Sequence, residues 1–151
     1  MDSDDLSWQV YTFDQLTTDT LYRLLQLRSE VFVVEQDIVY QDLDDVDRVA
    51  LHLLGFLHEH LICYARILPP GCRYPGTAIG RIITGQSYRG KGYGSQLVIQ
   101  AIACSRRNWP DTTINISAQL HLQEFYSQLG FQAVGAPYDE EEILHIKMMQ
   151  E

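Results

Sequence analysis

The chain has 151 residues, 46% hydrophobic and 21% charged, a balance that excludes a disordered or fibrous polymer and predicts one domain over 1–151 that buries a core without disulfide or metal staples. Twenty acidic against eleven basic residues leave a formal charge of −9, which argues against a nucleic acid held on a broad basic face. Cys63, Cys72 and Cys104 are odd in number without C-x-x-C spacing, no apolar run approaches the ~18 residues of a membrane span, and residues 1–5 are acidic where an export signal is basic, so a cytoplasmic protein is expected, neither exported nor embedded.

Residues 8–13 alternate, with Trp8, Val10 and Thr12 on one side, and predict a short first strand. Thr17, Thr18 and Asp19 offer acceptors for a helix start, after which Leu21, Leu24, Leu25, Val31 and Phe32 share a face, so a helix runs to about Glu35. The stretch 37–47 holds Asp37, Asp42, Asp44, Asp45 and Asp47 with little periodicity, and is expected to be a solvated acidic loop or short helical turn, the least structured part of the chain. Two apolar runs, 52–57 and 61–68, flank His58-Glu59-His60 at hairpin spacing. Pro69, Pro70, Gly71, Pro75 and Gly76 break regular structure before a third run, 78–84.

From Gly94 the period is helical, with Leu97, Val98, Ala101 and Ile102 on one face, Arg106 and Arg107 in the final turn, and Pro110 beyond it. Residues 112–118 are β-branched and read as a buried strand, 120–129 as a short helix closed by Gly130, and 131–134 and 143–149 as two last strands around an acidic turn at 139–142. The order is mixed α/β (α+β): a largely antiparallel sheet flanked by helices, with at least one strand–helix–strand unit. The sequence leaves the oligomeric state open.

Arg89-Gly90-Lys91-Gly92-Tyr93-Gly94 falls between a predicted strand and a predicted helix. Glycines there let the backbone approach a ligand, and the free N–H groups and positive dipole end of a helix start suit a pyrophosphate. A nucleotide-triphosphate loop needs Ser or Thr where Gly92 stands, and a dinucleotide loop needs glycine where Ser95 stands. An ordinary glycine-rich turn with two solvated cations is the plain alternative.

The remaining spacing, R-x-x-G-x-G at Arg89, Gly92 and Gly94, resembles the coenzyme A loop of the GNAT acetyltransferases. Phe125-Tyr126 followed by Leu129-Gly130-Phe131 is similar to the Y-x-x-L-G-F signature that closes that fold. The stretches 27–36, 40–44, 65–68, 79–81 and 118–119 resemble the ElaA group in particular, and together the matches span nearly the whole chain. The resemblance implies a GNAT-type fold and an N-acetyltransferase that takes acetyl-CoA as cosubstrate. A catalytically silent acyl-CoA-binding regulatory module is the alternative, and retention of Tyr126 favours the enzyme.

On this resemblance the backbone of Gly90, Gly92 and Gly94, at the start of the helix that Tyr93 enters, cradles the coenzyme pyrophosphate with Arg89 and Lys91. Ile82 and Ile83 meet the pantetheine arm through the main chain, and Gln119 stands where many members carry an asparagine that touches the same arm. Tyr126 matches the family tyrosine that protonates the departing thiolate. The candidates for general base are His52, Glu35 and His145, and proton loss through water with no dedicated base is equally allowed. The ending Glu140-Glu141-Glu142-Ile143-Leu144-His145 departs from the related E-D-G-I-P-H pattern by lacking its Gly and Pro. The resemblance implies a small-molecule or peptide amine as acceptor. Because acids gather at 37–47 and 139–142, segments that in GNAT-like folds lie near the acceptor side, a preference for cationic ones such as polyamines or basic peptide termini is expected, with a solvated face that keeps the protein soluble as the plain alternative.

Overall fold

A computed structural model describes residues 5–151; residues 1–4, most of the acidic lead read above, lie outside the described part. β1 (Ser7–Thr12), β2 (Leu51–Leu57), β3 (His60–Leu68), β4 (Thr77–Thr84), β5 (Ile114–Gln119), β6 (Gln132–Ala133), β7 (Tyr138–Glu140) and β8 (Ile143–Gln150) form one sheet. Its order is β1-β2-β3-β4-β5-β8-β6, with β7 also paired to β8. Every pairing is antiparallel except β4 with β5, which is parallel. The hairpin read at 52–68 is present, turned by His58 in the left-handed region at φ 57° and closed by the pair Leu57 and His60.

Among the described residues three α-helices cover the sheet: α1 (Thr18–Ser29), α2 (Tyr93–Asn108) and α3 (Gln123–Gln128). Strand alternation assigns their faces. Leu53, Ala65, Ile67, Ile114, Ile116, Ile146 and Met148 pack under Leu97, Val98 and Ala101 of α2. Leu54, Tyr64 and Ile83 turn to the opposite face and meet Leu24, Leu27 and Val31. The helix expected to reach Glu35 does so in two parts, since α1 widens at Ser29 into a π-helical turn, Glu30–Glu35. Such turns gather at functional sites, and this one brings Phe32 beneath the Arg81 guanidinium, 5.9 Å from ring centre to carbon.

The expectation of a solvated acidic stretch at 37–47 is corrected. Asp42 accepts from Arg28 Nε at 2.8 Å and from Arg81 Nε at 2.7 Å, Asp47 accepts from Arg28 and Arg66 at 2.7 and 3.0 Å, and Asp44 takes both terminal nitrogens of Arg66 at 2.9 Å. Three aspartates thus neutralise three arginines from α1, β3 and β4. Burial pushes the Asp44 carboxyl up, and its bonds from Arg66 more than reverse this, holding it near about 2. Charges taken out of water persist only when paired and hydrogen-bonded, so this segment is ordered by the arginines behind it.

Candidate active site

The parallel pair β4–β5 is joined only at Thr77 with Ile114 and Ala78 with Asn115. Beyond these rungs the two strands no longer pair, and the gap between Ile79–Thr84 and Ile116–Gln119 opens into a cavity of about 1040 Å³. In the same stretch β4 loses register against β3, between Tyr64 and Arg66, and Arg81 adopts φ 50°. Side chains rarely occupy that region without support. Support comes from Asp42, whose carboxylate and carbonyl oxygens accept from Arg81 Nε and Nη2 at 2.7 and 3.0 Å. Ile82 and Ile83 border the cavity on this side.

One end of the cavity is the glycine-rich loop. Gly90 and Gly92 have φ 81° and 85°, and Gly92 caps α2 with no side-chain hydrogen bond to the first turn. Glycine has no side chain with which to cap the 16-residue helix, so its positive dipole end is not covered by a capping group from Gly92. A Cβ on either glycine would meet no protein atom within 4 Å, so left-handed backbone demands glycine here and the space above is open. Gly90, Gly92, Tyr93, Gly94 and Arg89 border the cavity, whereas the Lys91 side chain is exposed and does not. Arg89 donates from Nε to Thr84 O at 3.0 Å, and its terminal nitrogens engage both Glu35 oxygens, one at 2.9 Å and one in closer contact.

Gln119, the last residue of β5, and Tyr126 of α3 also border the cavity. Tyr126 is 6% exposed, with Phe125 and Phe131 packed edge-to-face at 5.1 and 6.0 Å. Burial pushes its phenol up to about 12, so it holds its proton through the neutral range.

The three base candidates part company. His52 is fully buried and does not border the cavity; Nδ1 bonds the Tyr64 hydroxyl at 2.6 Å and Nε2 the Asp47 carbonyl at 2.8 Å. Burial lowers it from the ordinary histidine value, and with both nitrogens engaged inside the protein it holds structure rather than meeting substrate. Glu35 lies beside the glycine-rich loop, committed to Arg89. His145 borders the cavity at the other end, paired across the sheet with Gln119 and Tyr138.

Beside His145 the structure brings to Glu140 of the acidic ending two residues that the sequence reading did not single out, Ser117 and Tyr138. Ser117 bonds both the Tyr138 hydroxyl and Glu140 Oε1, the latter at 3.0 Å. The acidic turn at 139–142 is tighter than expected: Tyr138–Glu140 is a strand, and Glu141 and Glu142 alone make the turn at φ 49° and 65°. Mirror-image two-residue turns need two left-handed residues, so this geometry survives without the glycine of the related pattern. The signal for Ser117 was present in 114–119, where Asn115, Ser117 and Gln119 alternate with Ile114, Ile116 and Ala118; polar residues on one side of a buried strand mark a face that is not core.

Residues 61–151 match the GNAT acetyltransferase domain family. Protein ElaA of Escherichia coli K12 is 40% identical over 148 residues, 97% of each chain, and its crystal structure superposes with a TM-score of 0.91, covering 97% of this chain and 99% of that one. An acyl-CoA N-acyltransferase from Pseudomonas aeruginosa superposes with a TM-score of 0.93 at 41% identity, covering 97% of this chain and all 100% of that one. A GNAT family acetyltransferase from Elizabethkingia anophelis, solved with acetyl-CoA bound, has the same fold at 16% identity, with a TM-score of 0.67 and 98% and 99% coverage.

Proposed function

The chain belongs to the GNAT acetyltransferase family, and from that membership we propose that it moves the acetyl group of acetyl-CoA to a primary amine of a small molecule or peptide. The observation that carries this reading is a single cavity bordered by left-handed glycines at a helix start, by acids and a histidine, and by a buried tyrosine. The coenzyme pyrophosphate lies on the N–H groups at Gly90, Gly92 and the first turn of α2, with Arg89 turning from Glu35 toward it. Its arm follows the unpaired edges of Ile82, Ile83 and Gln119.

Holding both reactants in one cleft supplies much of the rate. A backbone N–H near Ile82 or Ile83 steadies the tetrahedral oxyanion. Tyr126 protonates the leaving thiolate; the desolvation that raises the phenol raises a neighbouring thiol too, which narrows the gap between them. His145 is the base, being the candidate whose ring borders the acceptor end. We place the protein in the cytoplasm, consistent with three unbridged cysteines; no helix among the described residues is long and apolar enough to cross a membrane.

The preference for cationic acceptors rests on Glu140 and Glu141, because the aspartates of 37–47 at the same end are offset by arginines. The test is release of free thiol from acetyl-CoA across matched cationic, neutral and acidic amines at two salt concentrations. Amine-dependent release is expected, with a cationic advantage that salt reduces. Coenzyme binding without release for any amine would instead identify a silent acyl-CoA-binding module.

A further inference from the structure

The acceptor end holds a hydrogen-bonded group whose chemistry is more specific than a negative field. Ser117 donates its one hydroxyl proton to Glu140 Oε1 at 3.0 Å. With that proton committed, the close contact to Tyr138 is one in which the tyrosine hydroxyl donates, and Ser117 Oγ keeps a second lone pair. His145 donates from Nδ1 to Ile143 O at 2.8 Å, which leaves the lone pair of the neutral ring on Nε2. The His145 side chain is 9% exposed, and Glu140 Oε2 stands 3.6 Å from Nε2, outside hydrogen-bond reach. Tyr138 stacks on the ring at 6.3 Å and 24°, fixing its plane.

Glu140 Oε2, His145 Nε2 and Ser117 Oγ are thus three acceptor positions around one corner of the cavity, and all three residues border it. A primary ammonium is the complementary group, with three N–H donors and no acceptor. We propose that Ser117, Glu140 and His145 form the seat of the acceptor's primary ammonium and that Tyr138 is a positioning residue for it; this rests on the acetyl-transfer reading above. Glu140 binds the cation and His145 Nε2 takes one of its protons. The neutral nitrogen forms the new C–N bond as the C–S bond breaks, and the thiolate takes the Tyr126 proton. The second nitrogen proton restores Tyr126 through solvent and His145 returns its own to water, so each turnover yields amide, free thiol and one released proton. Secondary ammonium ions lose one of the three bonds and quaternary ions lose all of them.

The experiment uses CoA-saturated protein with ¹³C-labelled histidine, titrated with 1,4-diaminobutane, its bis-trimethylammonium analogue and 1,4-butanediol, and read at the His145 ring by NMR. The diamine is expected to shift the His145 signals, the other two to leave them unmoved, and Glu140→Gln to weaken diamine binding about 10-fold or more, as loss of a charged hydrogen bond requires. In thiol-release assays with the same diamine, Glu140→Gln should raise its KM by a similar factor, Glu140→Asp should recover part, and the acetyl-CoA KM should stay within about twofold. Tyr138→Phe should raise the diamine KM less than Glu140→Gln and leave coenzyme affinity by calorimetry unchanged, which also reports that each variant is folded. Diamine binding at His145 without thiol release would support the seat and refute amine acetylation. Thiol release with an unchanged diamine KM in Glu140→Gln, silence of the His145 signals, or equal shifts from the diol would overturn the seat and leave acetyl transfer standing.

Discussion

Replacing Asp47 with asparagine measures how much of the fold rests on its buried charges. Asp47 Oδ1 accepts from Arg28 and Arg66, whose side chains are 0% and 1% exposed. Burial pushes the carboxyl up and the two arginines more than reverse it, holding it below the ordinary range. The amide keeps the shape but leaves two buried cations facing only Asp42 and Asp44. Removing one member of such a group costs ~3–5 kcal/mol. At ~2.1 cal/mol/K of unfolding entropy per residue, 151 residues give roughly 0.3 kcal/mol/K, so the thermal midpoint should fall by about 10–15 °C. Asp45→Asn is the control, because Asp45 reaches Arg48 at 3.6 Å on the surface with its side chain 91% exposed, and an exposed pair contributes ~1 kcal/mol at most. The assay is thermal melting by circular dichroism at pH 7. If the two variants melt within about 2 °C of each other, the cluster does not anchor the 37–47 segment.

Gly92→Val places a β-branched residue at φ 85°, so stability should drop by ~1–2 kcal/mol and calorimetry should detect no coenzyme binding; a folded variant with parental affinity removes the loop from the site. Tyr126→Phe should lower kcat on the order of 100-fold with coenzyme affinity intact, and unchanged turnover excludes it from catalysis. His52 is held low by burial, so the unfolded chain takes up a proton near ~6.5 that the folded chain refuses. Its contribution is complete above that pH and is lost as pH falls, giving a midpoint that declines as the pH drops below about 6.5; an identical slope in His52→Gln would assign the decline elsewhere.

Much of this was legible in single residues. Thr17 caps α1, its hydroxyl accepting from the Thr20 N–H at 3.1 Å, and Gly130 closes α3 at φ 99°, because caps and left-handed positions select residue types directly. The two apolar runs of 52–68 and the three-residue spacing between them marked the central hairpin, because buried strands and short turns leave a local pattern. The aspartate cluster was not legible, since Asp42 finds its partners 14 and 39 residues away and acids that end in water or against arginines look alike in one chain. The π-helical turn at Glu30–Glu35 carries no compositional mark, differing from an α-helix only in which carbonyl each N–H finds. Arg89 and Glu35 were each read for a separate task, and only folding shows that they hold each other.

The pleat of β5 and β8 sets two columns of side chains back to back. Ile116, Ala118, Ile146 and Met148 are locked into the apolar layer under α2, and a change in any of them is felt as a cavity or a clash. Ser117, Gln119 and Lys147, one residue away in each case, are only half-buried on the other face, where a substitution displaces little apolar surface. Stability and the polar face that borders the cavity at Ser117 and Gln119 are therefore written on alternate letters of the same two strands. An engineer, or mutation over time, can rewrite the second set one position at a time without reopening the core, while the left-handed glycines of the 89–94 loop permit no such drift.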